Sequence, residues 1–245
     1  MYRCPYCKHR KFWKLSDGRK KCARCRKTFT HYYYRFSRVK SKLLEKLADY
    51  FCLGVPAHRL RFLEDISLKT VERVFLWFRQ LIYQDSLSAL KKLSGKLEMD
   101  ESMFGDKRPG KRGWGAEGKI IVFGIYKRNG QVITFPVSNR RKKTLYPLIK
   151  SHTRKGSIYY TDDYEGYASL IAKKKHVVIQ KQKGVPTTGL TINGIEGFWS
   201  YAKHWLYHYR GVPKTNFALY LKEIEWRFNN RVNNLLPILL KLVRS

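Results

Sequence analysis

Apolar side chains recur every three or four positions between residues 38 and 93, which is the spacing of amphipathic helices. Gly54 and Pro56 end the first helix of this stretch, and Ser67 is suited to cap the start of a later one. Two helices joined by a turn, with a capped second helix, resemble a helix-turn-helix. The same apolar stripes fit any three-helix bundle, so both interpretations stay open here.

Residues 96–185 instead alternate between strand patterns and helix patterns, and Asn129-Gly130 predicts the tip of a hairpin. The predicted order is a strand at 97–100, a strand at 120–125, a return strand at 132–137, a helix at 141–151, a strand at 158–160, a helix at 164–173, a strand at 177–179 and a long helix from 193. This is the order of a ribonuclease-H-like fold, in which the first and fourth strands lie side by side. The predicted fold class is therefore mixed α/β.

Composition shifts along the chain predict four modules, with no internal repeat and no low-complexity linker between them. They are a zinc ribbon at 1–32, a helix-turn-helix-like DNA-binding module at 38–93, a ribonuclease-H-like catalytic domain at 96–232 and a C-terminal helical tail at 233–245.

Four cysteines indicate that the first module is a zinc ribbon. Cys4 and Cys7 form one CxxC pair, and Cys22 and Cys25 form a second after 14 intervening residues. This spacing is typical of four thiolates around one structural Zn²⁺. Two disulfides or a redox CxxC are the alternative. They are less favoured because the N-terminus has no apolar signal-peptide stretch, so we expect a reducing compartment.

The charge of the chain indicates its partner. Lys and Arg number 51 against 18 Asp and Glu, a formal net charge of +33 that is spread over all 245 residues. Such a field attracts nucleic acid whatever its sequence. An acidic lipid surface is the weaker alternative, because no amphipathic membrane helix or long apolar run is present. We expect a cytoplasmic, nucleoid-associated protein that binds DNA and not membranes.

Three acidic residues stand out against this basic background. Asp100 and Asp162 fall at the predicted ends of strands, and Glu196 falls at the start of the last long helix. Carboxylates in this layout are typical of enzymes that hold two Mg²⁺ or Mn²⁺ ions and cut or join a phosphodiester backbone. Any one of them alone is more often a cap or turn residue. Asp163 rivals Asp162, whereas Glu101 competes less well because it falls in phase with the apolar positions.

The stretch from 97 to 231 resembles the DDE transposase domain of the IS1595 (ISXO2-like) family of bacterial insertion sequences, and its length resembles the short IS1016-like branch. The residues that carry the resemblance are MDES, the following FGDKR, KRNGQV, YTDDYEGY, NGIEGFWSYAK, HYRGVPK and YLKEIEWRFNNR. The zinc ribbon and helix-turn-helix fit the same family, so the resemblance covers nearly the whole chain.

The resemblance implies a transposase that binds the terminal inverted repeats of its element, hydrolyses the phosphodiester at the ends and transfers the 3′-OH to target DNA. Asp100, Asp162 and Glu196 would be the catalytic acids and would hold two Mg²⁺ (or Mn²⁺) ions. Because two DNA ends must be paired, we expect a homodimer or a larger oligomer on DNA. Two other functions compete: a ribonuclease-H-like nuclease without strand transfer, and a zinc-ribbon DNA-binding regulator with a silent catalytic domain.

Several cations near the predicted helices and acids are candidates for DNA contact, although a solvated basic face is about as good an interpretation of any single one. They are Lys69, Arg73, Lys107, Arg108, Lys111, Arg112, Lys203, Arg210 and Lys214.

Overall fold

The structure is a computed structural model, and it divides the chain into two compact units, residues 1–78 with 236–245 and residues 79–235. It describes residues 4, 6–16, 19–29, 39–88, 92–105, 118–167, 176–179, 191–209 and 211–244.

The first unit begins with a small antiparallel sheet around the four cysteines. Its strands, in the order β1-β2-β3, are β1 (Phe12–Lys14), β2 (Lys20–Cys22) and β3 (Thr28–Phe29). The Leu15 N–H donates to the Arg19 carbonyl at 2.8 Å and closes the hairpin between β1 and β2. The cysteines thus lie on a hairpin and its neighbouring loops, as the CxxC spacing predicts.

The other described elements of the first unit are helices. They are α1 (Ser41–Cys52), α2 (Ala57–Leu60), the part of α3 (Leu68–Ser88) that ends at Phe78, and nearly all of the C-terminal α7 (Leu235–Arg244). Ser67 caps α3 as predicted, because its hydroxyl accepts the Thr70 N–H at 3.3 Å. The Phe51 ring of α1 packs edge-on against Phe75 and Phe78 of α3. The helices share an apolar core, which suits a three-helix bundle and a helix-turn-helix alike.

The second unit is built on one five-stranded mixed sheet. Its strands are β4 (Lys96–Phe104), β5 (Ile120–Lys127), β6 (Val132–Val137), β7 (Ile158–Thr161) and β8 (His176–Val178), and they lie in the order β6-β5-β4-β7-β8. The first three pair antiparallel, whereas β4–β7 and β7–β8 pair parallel. The expectation that the first and fourth strands of this sheet are neighbours is confirmed.

Helices cover both faces of this sheet, so each face has its own apolar core. They are α4 (Lys142–His152), α5 (Asn193–Tyr207) and α6 (Phe217–Asn229), with one-turn 3-10 helices at Glu165–Tyr167 and Lys214–Asn216. One core joins α4 to the sheet through Leu145 and Ile149, and the other joins α5 and α6 to it through Ile195, Phe198 and Ile224. The mixed α/β class is confirmed.

The helix predicted at 164–173 is a single 3-10 turn as far as residue 167, and its remainder lies outside the described residues. None of the helices in the described part of the chain is both long enough and apolar enough to cross a membrane.

Candidate active site and cysteine metal centre

Strand β4 carries carboxylates on both of its faces. Leu97 and Met99 belong to the core beneath α4, and the carboxylate of Glu101 points to the same side. Glu98 and Asp100 alternate to the opposite side, where both bond to α5. The strand period therefore separates Asp100 from Glu101, as the sequence pattern predicts.

Asp100 is half-buried at the surface of the sheet that faces α5. Its Oδ2 accepts a hydrogen bond from the indole Nε1–H of Trp199 at 3.1 Å. Trp199 itself is buried and lies one helical turn after Glu196 on α5. The indole therefore links β4, which carries Asp100, to α5, which carries Glu196.

Strand register places the second acid beside the first. Glu98 of β4 pairs with Tyr160 of β7 in parallel register. Continued two residues further, this register brings Asp100 opposite Asp162, which follows the last residue of β7. The two aspartates therefore lie side by side on neighbouring central strands. Only Asp162 follows the end of its strand: the prediction that Asp100 ends a strand is wrong, because β4 continues through its pairing with β5 as far as Phe104.

The local contacts of Asp162 and Asp163 differ. Asp162 is half-buried, and its Oδ1 accepts the Tyr164 N–H at 3.3 Å, whereas Asp163 is exposed. The Thr161 hydroxyl donates to the Asp162 carbonyl at 2.7 Å and lies 2.8 Å from Nε2 of His176 on β8. These contacts fix the backbone that carries Asp162.

The start of α5, and with it Glu196, is held by a buried ion pair. Glu98 accepts the Ile195 N–H at 2.9 Å through Oε2 and the Arg128 Nε–H at 2.8 Å through Oε1. Arg128 also donates through Nη2 to the Thr191 carbonyl just before the helix. A carboxylate at a helix N-terminus is favoured by the unpaired N–H groups and by the helix dipole. Glu98 and Arg128 thus join the hairpin, β4 and α5 within two residues of Glu196.

Two glycines permit the close approach of α5 to the sheet. A Cβ on Gly124 of β5 would lie 2.7 Å from the Trp199 ring and 2.9 Å from Ile195 Cδ1, and one on Gly194 would lie 2.1 Å from the Tyr126 ring. All three distances are shorter than van der Waals contact, so these two positions have no room for a larger side chain.

Glu101 has a different environment on the far side of β4. It is buried, bonds to the Tyr167 hydroxyl and accepts the Arg140 Nε–H at 2.9 Å. Burial raises the pKa of Glu101, Tyr167 and Arg140 oppose that shift, and the Asp162 carboxylate adds to it. Burial first, then Glu101, Asp100 and Asp162 raise the pKa of Tyr167 well above its ordinary value. Both aspartates therefore lie within electrostatic range of one phenol.

The three acids are not drawn together around a single point. Among the described residues, the cysteines are the one group of three or more side chains placed to share a metal ion, and Asp100, Asp162 and Glu196 do not form another. Their oxygens are the donor type that Mg²⁺ prefers, but they do not form a closed cage, so an ion held by them would need further ligands.

The cysteine site is more compact. The sulfurs of Cys4, Cys7, Cys22 and Cys25 all lie within 4.8 Å of one another, with Cys4–Cys25 at 3.6 Å and Cys7–Cys22 at 3.5 Å. A tetrahedral zinc with Zn–S bonds of about 2.3 Å requires sulfurs about 3.8 Å apart, whereas a disulfide requires about 2.05 Å. The four cysteines therefore fit one zinc ion, and they are not paired as disulfides.

The two halves of the cysteine site repeat one backbone turn. The Lys8 N–H donates to the Cys4 carbonyl at 2.8 Å, and the Arg26 N–H donates to the Cys22 carbonyl at 3.1 Å. Lys8 and Arg26 follow the second cysteine of each pair and have φ of 60° and 59°, in the left-handed region. The repeated turn aims both cysteines of each pair at the same point.

Two thiols of this site, those of Cys22 and Cys25, have shifted pKa values. Burial raises the pKa of Cys22, but the N–H groups of Cys25 and Arg24 and the neighbouring thiols lower it, to about 6. The Lys27 N–H lowers the pKa of Cys25, but burial and the other three thiols raise it, to about 12. One sulfur is thus a ready thiolate near neutral pH, which is the form that binds zinc.

Four of the nine cations predicted to contact DNA lie in the described part of the chain. Lys69 and Arg73 are exposed one helical turn apart on α3, Lys203 is exposed on α5, and Lys214 is exposed in the 3-10 turn before α6. The remaining candidates lie outside the described residues: Lys107, Arg108, Lys111, Arg112 and Arg210. A polar stripe runs along α5 from Glu196 toward the end of the helix. Its members follow the three-and-four spacing of one helix face: Glu196, Ser200, Lys203 and Tyr207.

Two features of this site escaped the sequence patterns. Trp199 falls on the apolar face of α5 and is buried, as the helical spacing of apolar residues favours, but its N–H also bonds to Asp100. Glu98 and Arg128 carry no motif of their own. The sequence offers one signal for Glu98: it lies two residues before Asp100 in the same strand, so the side chains of Glu98 and Asp100 point to the same face of the sheet, toward α5.

Two comparisons relate this chain to known proteins. Residues 92–229, more than half of the chain, match the family described as the ISXO2-like transposase domain. The chain is also 39% identical over 117 residues to an uncharacterized transposase-like protein of Haemophilus influenzae, an alignment that covers 47% of this chain and 95% of that protein. The matched family segment includes Asp100, Asp162 and Glu196.

Proposed function

The chain belongs to the ISXO2-like transposase family, and from that premise we propose that it is a DDE transposase. It binds the terminal inverted repeats of its element, hydrolyses the phosphodiester at each end and transfers the resulting 3′-OH to target DNA. Family membership supports a DNA-processing enzyme, and a net charge of +33 suits a polyanionic substrate.

One observation supports the catalytic part of this proposal: the parallel register of β4 and β7 brings Asp100 opposite Asp162 on neighbouring strands. The bond from the Ile195 N–H to Glu98 holds the start of α5 against β4, and it supports the next residue, Glu196, as the third acid. The strand order β6-β5-β4-β7-β8, with only the last two strands parallel to β4, supports a ribonuclease-H-like domain.

In this proposal Asp100, Asp162 and Glu196 would together hold two Mg²⁺ or Mn²⁺ ions. Such a pair of ions, when bound, activates the attacking oxygen and stabilises the leaving one. Trp199 holds one oxygen of Asp100 and so limits the rotation of its carboxylate. Since the acids alone do not form a closed cage, the DNA backbone completes the ligand set, and the site assembles fully only on its substrate.

The remaining parts of the chain serve binding. The cysteine module, held by one structural Zn²⁺, and the helices α1–α3 recognise the terminal repeat, with Lys69 and Arg73 on the outer face of α3. Lys203 and Lys214 contact backbone phosphates that lead away from Glu196. A dimer or larger assembly on DNA pairs the two ends.

The test is cleavage and joining of a labelled duplex that carries the terminal repeat, with Mg²⁺ or Mn²⁺ and a target plasmid. We expect metal-dependent nicks at the repeat edge and joined products. Both should vanish in Asp100→Asn, Asp162→Asn and Glu196→Gln while repeat binding is retained. Asp163→Asn is the matched control, because Asp163 is exposed and adjacent to Asp162, and it should cleave normally.

The other outcomes separate the competing functions. Metal-dependent cleavage without joined products would favour a nuclease. Repeat-specific binding without cleavage in either metal would favour a DNA-binding regulator. Loss of cleavage in Asp163→Asn but not in Asp162→Asn would move the second catalytic position by one residue.

A further inference from the structure

The cysteine module exposes two aromatic rings that its own packing does not use. Tyr6, between the first two cysteines, is 52% exposed, and Trp13, on β1, is 49% exposed. The neighbouring Phe12 points to the other face of the sheet, where it packs against Phe29 at 5.9 Å between ring centroids. Half-exposed large aromatic side chains in so small a module suggest a binding surface.

Both exposed rings have a cation stacked on them. The Arg26 guanidinium lies 5.1 Å from the centroid of Trp13, and the Lys27 ammonium lies 4.8 Å from that of Tyr6. Since Arg26 and Lys27 are consecutive residues after the second cysteine pair, the two stacked pairs are neighbours. Lys21 lies directly opposite Trp13 in the β1–β2 pairing and so shares its face of the sheet. We call Tyr6, Trp13, Lys21, Arg26 and Lys27 the aromatic–cation surface.

The charge around this surface is of one sign. The described residues of the module, 4, 6–16 and 19–29, include ten Lys and Arg and no Asp or Glu. A surface of this composition is complementary to a polyanion that also presents flat apolar faces.

We propose that the aromatic–cation surface binds unpaired DNA, with bases stacked on Trp13 and Tyr6 and the flanking cations on the backbone. Aromatic side chains stack on bases only where the bases are not enclosed in a duplex. In a duplex the faces of the bases are buried between neighbouring base pairs. A surface that contacted only phosphates would not require exposed aromatic rings. This inference rests on the proposed function for its role, since strand cleavage and joining expose unpaired bases beside the cut end.

Binding is tested with the full-length, zinc-loaded chain and a labelled 20-nucleotide single strand, against a duplex of the same sequence, without added Mg²⁺ so that no cleavage occurs. Trp13→Ala and Tyr6→Ala should each weaken single-strand binding about tenfold and leave duplex binding nearly unchanged. Phe62→Ala is the matched control. Phe62 is 72% exposed and has the Arg61 guanidinium 4.6 Å from its ring centroid, but it lies outside the cysteine module, between α2 and α3, and its loss should leave single-strand affinity unchanged.

The salt dependence distinguishes stacking from charge. Lys21→Ala should reduce the slope of log affinity against log salt for the single strand by about 0.7, because it removes one phosphate contact. Trp13→Ala should lower affinity equally at every salt concentration and leave that slope intact. Trp13→Phe, which keeps a ring, should recover most of the affinity, and a retained equivalent of zinc in each variant shows that the module is folded.

The inference is overturned if the ring variants bind single strands like the unaltered chain, or lose single-strand and duplex binding equally. Its failure is separable from failure of the proposed function. A chain that binds single strands through Trp13 but never cleaves in Mg²⁺ or Mn²⁺ retains this surface and is not a transposase. A chain that cleaves normally with ring-independent single-strand binding is a transposase without this surface.

Discussion

The cysteine site and the candidate acidic site differ in how the fold brings their possible metal ligands together. The cysteines come from 22 consecutive positions, and their sulfurs already lie within 4.8 Å of one another. The candidate acids belong to two neighbouring strands and a helix that span 97 positions, and they do not close on one point. One site is made by local turns, and the other is made by a folded domain.

The difference indicates what each metal does for the protein. The cysteine module has too little apolar surface to fold alone, so the bound ion takes the place of a core. The candidate acidic site stands on a sheet with an apolar core on each face, and buried carboxylates such as Glu98 fix its elements without metal. Zinc is therefore expected to be structural, and the ions at the candidate acidic site are expected to arrive with the substrate.

The largest expected effect follows from removal of zinc. Structural zinc contributes about 10–16 kcal/mol of apparent binding free energy to small modules. We therefore expect one zinc per chain by elemental analysis, and we expect Cys22→Ser or strong chelation to make residues 1–30 sensitive to protease. The 79–235 unit should keep its circular dichroism signal. A module that stays protease-resistant after zinc is removed would contradict the local origin of this site.

The next effect concerns the buried pair that holds α5. Glu98→Ala leaves Arg128 and the Ile195 N–H without their partner, so the free energy of unfolding should fall by about 3 kcal/mol in chemical denaturation. Glu45→Ala is the control, because its pair with Arg244 is about half exposed on both sides, and it should cost less than about 1 kcal/mol. Equal losses in the two variants would show that α5 does not depend on the buried contact.

Close packing of α5 predicts opposite effects for two glycines. Gly124→Ala places a methyl group against Trp199 and should destabilise the protein by about 1–3 kcal/mol. Gly197→Ala, in α5 itself, meets no atom within 4 Å and should stabilise by about 0.5–1 kcal/mol through helix propensity. Thermal unfolding of both variants checks the signs, and a neutral Gly124→Ala would mean that α5 lies farther from β5.

The smallest expected effect is a pH dependence at Glu101. Because burial raises the pKa of Glu101 in the folded protein, the folded state holds this proton at pH values where the unfolded chain has released it. The contribution of Glu101 to the free energy of unfolding is greatest below the pKa that Glu101 has in the unfolded chain. It is lost as the pH rises through the higher pKa that Glu101 has in the folded protein. Between pH 4 and 7 the parent should thus lose stability relative to Glu101→Gln. If the parent instead gained stability relative to Glu101→Gln over this range, the effect of pairing with Arg140 on the pKa of Glu101 would outweigh the effect of burial.

Much of the candidate site was predictable because its signals are periodic. The strand alternation separates Asp100 from Glu101, the strand order brings β4 beside β7, and the CxxC spacing predicts the cysteine cluster. Each of these patterns extends over a few residues or follows from the order of elements alone. None requires knowledge of which side chains meet.

The contacts that set the geometry were not predictable from those signals. Glu98 meets Arg128 and Ile195 across 30 and 97 positions of sequence, and Trp199 meets Asp100 across 99. A buried glutamate and a tryptophan look like an ordinary polar position and an ordinary core position until the fold joins them. Long-range pairing of this kind is decided by tertiary packing, for which local sequence carries no signal.

The most direct test of the central claim, that Asp100, Asp162 and Glu196 form one metal-dependent phosphodiester site, uses sulfur at the scissile phosphate. A labelled terminal-repeat duplex would carry one phosphorothioate stereoisomer there, and its cleavage would be measured in Mg²⁺ and in Mn²⁺. Mg²⁺ binds sulfur poorly, whereas Mn²⁺ accepts it better. We predict that one isomer is cleaved only in Mn²⁺ and that Glu196→Gln cleaves neither. Equal cleavage of both isomers in both metals, or normal cleavage by Glu196→Gln, would contradict the account.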